Sequence, residues 1–423
     1  MTRNLNTKQS SAVKQYSNET VYSILFFISF AHLLNDLIQG IIPSIYPLLK
    51  QNYGLTFSEI GLITFAFQLT ASILQPFIGY YTDKYPKPYS QVYGMGFTAL
   101  GIIVLSFANN LNWIVVSSII IGIGSAIFHT ESGRISNLAS GGKLGLAQSI
   151  FQTGGNFGSA LAPLAVAFIV IPNSQKYLLW FFIASTIGIG VLSRIANWYK
   201  IHLIEKNTKK NIVESKHKLS NNKVKWVIGI LLVIIFSKFI YSASLSSFYT
   251  FYLIEKFHLS IQQAQFHMFI YLFAYMIGTI LGGPLGDKIG RIYIIWFSVF
   301  GAAPFALLLP YASLFYTDVL IVIIGFIMAS AFPAIIVYAQ ELVPHKLGMI
   351  SGLFYGFSFG MAAIGSASLG ILADYTSIQY VFLVCSFLPL ISGICYFLPN
   401  LNKRQNDNFK EGDLELNIQF NKN

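Results

Sequence analysis

Twelve long apolar runs set the limits on what this chain can fold into. Each is close to the ~20 residues needed to cross ~30 Å of hydrocarbon as a helix. Charges, Asn and Pro punctuate them at 21–48, 58–81, 90–108, 112–130, 147–170, 178–199, 226–253, 264–284, 292–310, 318–340, 350–372 and 380–399. Only 10% of the 423 residues are charged and 54% are hydrophobic, against about 25% charged in soluble domains. The pattern predicts an all-α polytopic membrane protein with lipid as its main partner. A β-barrel would show strands of ~10 residues alternating polar with apolar, which these runs do not.

Where the basic residues fall predicts orientation. With a cytoplasmic N-terminus, 23 of the 27 Lys and Arg fall in cytoplasmic segments, three (Lys50, Lys176, Lys256) fall outside, and Lys238 lies within a span. This is the positive-inside pattern. The net charge of +11 is therefore topological, and nucleic acid is not an expected partner. The polar first 20 residues predict a cytoplasmic tail without a cleavable signal. The segment 200–225 predicts a cytoplasmic loop between bundles at 21–199 and 226–400, and 401–423 a disordered cytoplasmic tail. Cys385 and Cys395 would lie ~15 Å apart on one helix, too far to bridge. A multi-pass membrane protein with both termini cytoplasmic is expected.

The two bundles carry an internal repeat. GYYTDKYPKP (79–88) after span 2 is echoed by GPLGDKIGRI (283–292) after span 8, and KLGLAQSIF (143–151) before span 5 by KLGMISGLF (346–354) before span 11. The acids are 204 residues apart and the lysines 203. Parallel six-span repeats resemble the layout of the major facilitator superfamily, and GPLGDKIGRI resembles that superfamily's loop signature. In these loops Gly79, Asp83, Lys84, Gly283, Asp287, Gly290 and Arg291 are the candidate gate residues. Glycines permit close helix approach, and an acid can accept from helix N-terminal N–H groups or from Arg291. Such a latch would close the halves together on the cytoplasmic side. The first-half copy departs from the signature, with Pro86 near the expected second glycine and Lys87 where Arg is usual.

Polar residues inside spans mark a cavity. In AHLLNDLIQG (31–40), His32 and Asp36 are i and i+4 and share a face that Gln39 continues. A carboxyl group that gains and loses a proton there is what a proton carrier needs; a structural hydrogen bond is the other reading. Lys238, mid-helix in span 7, would pair with Asp36 or meet an anionic substrate, with Tyr241 beside it in the lining. In SAIFHTESGRI, Glu131 and Arg134 are i and i+3 and His129 lies a turn deeper. A span ending at 130 places them at the cytoplasmic edge, where a solvated salt bridge competes with a functional site. Span 5 carries Gly145, Gly154 and Gly158 at G-x8-G-x3-G, which resembles the glycine signature of drug–proton antiporters. Ser159 stands where that signature has Pro. Gln152 and Asn156 share one face of the same span. Ser118 stands where the superfamily often has an Arg, so coupling through that Arg is not expected.

GFSFG (356–360) matches G-x-S-x-G but lies within a span, where the strand-to-helix turn of a hydrolase is impossible. No metal motif, phosphate loop or cofactor signature is evident, and an enzyme is not expected. The runs HLLNDLIQ, LTFSEIGLITFAFQL, LQPFIGYYTDKYPKP, SIFQTGGNFGSALAP, YTFYLIEKFHLSIQQAQ, GGPLGDKIGR and VYAQELVP resemble the fosmidomycin resistance protein family across both halves. The resemblance implies proton-driven efflux of a phosphonate antibiotic, an anionic small molecule. It also implies functional roles for His32, Asp36, His129 and Glu131, with Thr130 in place of the more usual Pro between the last two. A proton-linked importer or facilitator of a sugar or organic acid is the nearest alternative, and a transporter-like sensor the next.

Overall fold

The computed structural model describes residues 20–206, 220–343 and 347–400. Among the described residues, twelve helices are long and apolar enough to span a membrane. They are α1 (Tyr22–Ser44), α2 (Phe57–Thr82), α3 (Ser90–Phe107), α4 (Leu111–Ala139), α5 (Gly145–Val170) and α6 (Gln175–Leu203), then α7 (Asn222–Phe257), α8 (Ile261–Gly286), α9 (Arg291–Tyr311), α10 (Leu314–Leu342), α11 (Gly352–Tyr375) and α12 (Ile378–Phe397). All twelve expected spans are present. Helix also occupies both ends of the expected central loop, to Lys206 and from Asn221. Of the two expected tails, 1–20 and 401–423, only Thr20 lies among the described residues.

The largest change is in α4, which runs nine residues beyond its expected end at 130. His129, Glu131 and Arg134 are therefore helical residues inside the bundle. A polar helix face survives at this depth because protein groups satisfy it. Arg134 pairs with Glu131 at 3.0 Å and donates to the Thr82 carbonyl at 3.1 Å, and Gln91 donates to the Ser132 hydroxyl.

The repeat is visible in the helix starts. α2 opens with a capping box in which Thr56 accepts from the Glu59 N–H and Glu59 accepts from the Thr56 N–H. α8 opens with the same device at Ser260 and Gln263. Such a box satisfies two orphan donors, and each pair of equivalents is 204 residues apart. Within the first half, α1 packs on α5 and α6, and α4 on α2 and α3. Across the halves, α2 packs on α11 and α5 on α8. The repeat exchanges these two contacts, so they form a pseudo-symmetric pair of seams.

Glycines make the close approaches. A Cβ on Gly154 would collide with the Ser29 backbone, and one on Gly158 with the Leu33 and Leu37 backbones. These two positions of the span 5 signature let α1 lie directly on α5. At the far end of the other seam, Gly370 of α11 and Gly61 of α2 face each other, with 3.4 Å from a Cβ on Gly370 to the Gly61 Cα. Cys385 and Cys395 are buried thiols.

Candidate functional site

The polar stripe of α1 meets α4 and α5 at the middle of the molecule. His32 is 2% exposed and stacks on Phe151 with centroids 4.1 Å apart. Its Nδ1 lies 2.8 Å from the Phe151 carbonyl oxygen. A carbonyl only accepts, so Nδ1 carries the hydrogen and Nε2 faces Asp36 Oδ2, 3.1 Å away. On the other side His129 Nε2 lies 3.6 Å from Asp36 Oδ1, and Asn35 donates to the same oxygen at 3.1 Å. Two bare lone pairs at 3.1 Å repel, so this geometry suits a hydrogen or a cation held between His32 and Asp36. The three side chains offer atoms all within 4.8 Å of one another. That is close enough for one proton, or one cation, to serve the whole group.

Gly155 makes the cluster possible. A Cβ there would lie 2.7 Å from Asp36 Oδ2 and would overlap the His32 ring. The Gly154–Gly155 pair thus has two jobs, the first facing the α1 backbone and the second facing the His32 and Asp36 side chains.

The cluster lines a cavity of about 260 Å³ between the halves. Gln39, Gln152 and Asn156 join it from the first half, and Tyr275, Thr279, Tyr355 and Phe359 face it from the second. Asn156 bridges the halves by donating to Thr279 at 2.7 Å. Gln39 accepts from Ser125 at 3.1 Å, while its buried amide nitrogen has no partner. His129 and Tyr355 also line a vestibule of about 770 Å³, which extends along α4 past Gly133, Arg134 and Asn137 to the loop after α2. Gln148 donates to the Tyr355 hydroxyl where the two spaces meet. Twelve spans, two pseudo-repeats and a polar cavity on the axis between them describe a transporter architecture.

Comparison with known proteins decides the family. The model of the Major Facilitator Superfamily matches residues 28–355 and 230–419. The chain belongs to the major facilitator superfamily. It is 53% identical over 382 residues to the fosmidomycin resistance protein of Escherichia coli (strain K12), covering 90% of this chain and 94% of that one. It is 40% identical over 392 residues to the uncharacterized MFS-type transporter YfnC of Bacillus subtilis (strain 168), covering 92% and 96%. Among solved structures, the major facilitator transporter FucP in its outward conformation superposes with a TM-score of 0.61 at 16% identity, covering 90% of this chain and 98% of that one. The last likeness is one of fold.

Of the expected cavity residues, His32, Asp36, Gln39, His129, Gln152 and Asn156 come together. Glu131 and Arg134 are displaced from their expected solvated edge. Glu131 is 1% exposed, and Arg134 reaches from it to the C-terminal turn of α2, contacting the Thr82 hydroxyl at 3.0 Å. This pair ties α4 to α2 beside the vestibule.

Lys238 does not meet Asp36. Its Nζ donates to Ser298 at 3.0 Å, and it borders a separate cavity of about 10 Å³ with Met328, Pro389 and Ser392. The reason is helix rotation: this face of α7 points into the second bundle rather than between the bundles. Tyr241 follows it into the core and is 1% exposed. No Lys or Arg is among the described residues lining the central cavity.

The gate loops are partly described. Gly79 lines the vestibule, Lys84 lies over the Tyr85 ring at 5.3 Å, and Gly290 turns the chain between α8 and α9 at φ 105°. Gly283 abuts Ser149 of α5, where the carbonyl of Gly145 also lies. Arg291 pairs with Glu341 of α10. The side chains of Asp83 and Asp287 lie outside the described residues.

A carboxylate latch does appear, at the opposite end of the molecule. Asp374, in the last turn of α11, accepts from the N–H groups of Phe57 and Ser58 at 2.9 and 2.7 Å and from the Ser58 hydroxyl at 2.5 Å. Asn35, Phe151, Gly155, Tyr355 and Asp374 all escape single-sequence reading. The adjacent Asn35–Asp36 and the Gly154–Gly155 doublet were the available signals for two of them; Asp374 and its partners are 316 and 317 residues apart.

Proposed function

We propose that this chain is a secondary active transporter that exports a small anionic compound, such as fosmidomycin, across the bacterial inner membrane in exchange for protons. The carrying observation is Asp36, held between two imidazoles on the wall of a cavity between the halves. The 53% identity to the fosmidomycin resistance protein supports the substrate class. The excess of Lys and Arg on one side supports cytoplasmic termini, and the vestibule then faces the cytoplasm. A monomer has all the groups of this site on one chain.

The residues divide the work. His32, fixed by the Phe151 carbonyl, and His129 share protons with Asp36. Lys238 is turned away and no Lys or Arg is among the described residues lining the cavity, so an anion there meets the imidazoles of His32 and His129 and the amides of Gln152 and Asn156. Arg134 contributes its field at the vestibule. Exchange follows when the two seams rock so that the cavity opens alternately to each side.

The test is growth. A drug-sensitive host expressing the wild type is expected to tolerate fosmidomycin, and one expressing Asp36→Asn at equal abundance to lose that tolerance. Equal tolerance of the two would remove Asp36 from the mechanism, and tolerance of neither to any phosphonate would remove the substrate assignment.

A further inference from the structure

The end of the molecule away from the vestibule is tied by contacts with a definite layering. Innermost is a hydroxyl chain. Tyr46 bonds Thr64 at 2.6 Å, Thr64 lies 3.3 Å from Ser247, and Ser366 donates to Ser247 at 3.1 Å. It links α2 of the first half to α7 and α11 of the second. Next is the Gly61–Gly370 crossing, where the two backbones come within a Cβ of each other. Outermost is Asp374 on the first two residues of α2. The partner seam is neutral at this end: Gln262 donates to the Ala167 carbonyl at 2.9 Å and Gln265 to the Ser44 carbonyl at 2.7 Å.

We infer that Asp374 is the latch of the gate at this end, and that α2 and α11 must part there for the cavity to open away from the vestibule. It is a helix cap made in trans, because the cap belongs to one half and the helix to the other. A carboxylate on a helix N-terminus gains from both the orphan N–H groups and the helix dipole. Charge-assisted bonds are the stronger kind. Thr56 and Glu59 of the same turn already satisfy each other, so the capping box survives when the latch is lost. The α2 helix therefore keeps its start whichever way the halves face, and only the inter-half attachment is given up. In the same region Lys50 lies 4.2 Å from the Phe57 ring centroid and donates to the Leu55 carbonyl at 2.6 Å.

The inference rests on the alternating-access reading, and its test needs neither substrate nor proton gradient. Spin labels at Asn109→Cys and Tyr311→Cys, one on each half at this end, report the separation in lipid nanodiscs, with Cys385 and Cys395 replaced by Ala. The wild type is expected to populate mainly the short distance. Asp374→Asn should raise the ratio of long to short distance about five-fold, the size of a lost cap. Ser58→Ala, which removes one bond and leaves the carboxylate, should raise it about two-fold. Unchanged distance distributions in both variants would overturn the inference, as would a lower melting temperature with no change in distance. If Asp374→Asn does not fold, Ser58→Ala alone decides. A latch that behaves as expected in a protein that fails to exchange protons for drug would leave this gate standing and remove the proposed function.

Discussion

Two buried ionisable groups at membrane depth have opposite fates in the two halves. Asp36 of α1 faces the space between the halves with two imidazoles around it, and its side chain keeps 17% of its surface exposed to the cavity. Lys238 of α7 is sealed within its own bundle and has one described hydrogen bond, to Ser298. Around Lys238 the helices are interrupted: α9 at Gly301, α10 at Ser330, and α12 just before Leu388. Ser298, Val299 and Ala302 flank the first of these breaks, and Met328 and Pro389 lie next to the other two, around its small cavity. Depth in an apolar run thus identifies an ionisable group as unusual, but only the rotation of its helix separates a group on the central cavity from one inside a bundle. Here a second sign distinguishes them. Asp36 has a glycine opposite it, where a Cβ would displace its carboxylate and the His32 ring, whereas the Lys238 pocket is closed by ordinary packing.

The comparison can be broken by substitution. The largest effect on stability is expected on the first-half side, from Glu131→Ala. It leaves Arg134 without its buried partner, at a cost of about 3 kcal/mol, at the low end of the range because Arg134 is partly exposed and keeps its bonds to Thr82. Thermal unfolding in detergent would show it, and an unchanged melting temperature would mean that the pair is incidental. Gly155→Ala comes next. The added methyl must push His32 and Asp36 apart, costing roughly 1–3 kcal/mol and most of the transport activity. A variant that melts early but transports normally would show that the cluster tolerates displacement. The smallest effect is expected from Lys238→Met, a replacement of similar volume. Exchange of a buried charge for an apolar side chain is often neutral or stabilising by about 1–4 kcal/mol, so the melting temperature should hold or rise and transport should stay within about two-fold of wild type. A loss of transport would bring Lys238 back into the mechanism and void the contrast.

The sources of legibility are physical. The twelve spans are readable because lipid imposes length and apolarity on each one separately. The repeat is readable in loops whose turn chemistry is local, and it also sits unnoticed in T-x-x-E at Thr56 and S-x-x-Q at Ser260. His32 and Asp36 are readable because i and i+4 share a face on any helix. What needs a second helix is not readable from the first. The place of His129 depends on α4 continuing past residue 130, which the buried Glu131–Arg134 pair allows. Lys238 is the natural counter-ion for Asp36 only while the orientation of α7 is unknown. Asp374 is a polar residue near a helix end, unremarkable until α2 is brought to it.

The central claim is that Asp36 moves the proton and Lys238 does not. Wild type, Asp36→Asn and Lys238→Met, reconstituted into proteoliposomes holding a pH-sensitive dye, separate the two directly when fosmidomycin is added on one side. The account predicts drug-evoked proton movement in wild type and Lys238→Met, and none above empty liposomes in Asp36→Asn. Proton movement in Asp36→Asn at the wild-type rate would contradict it.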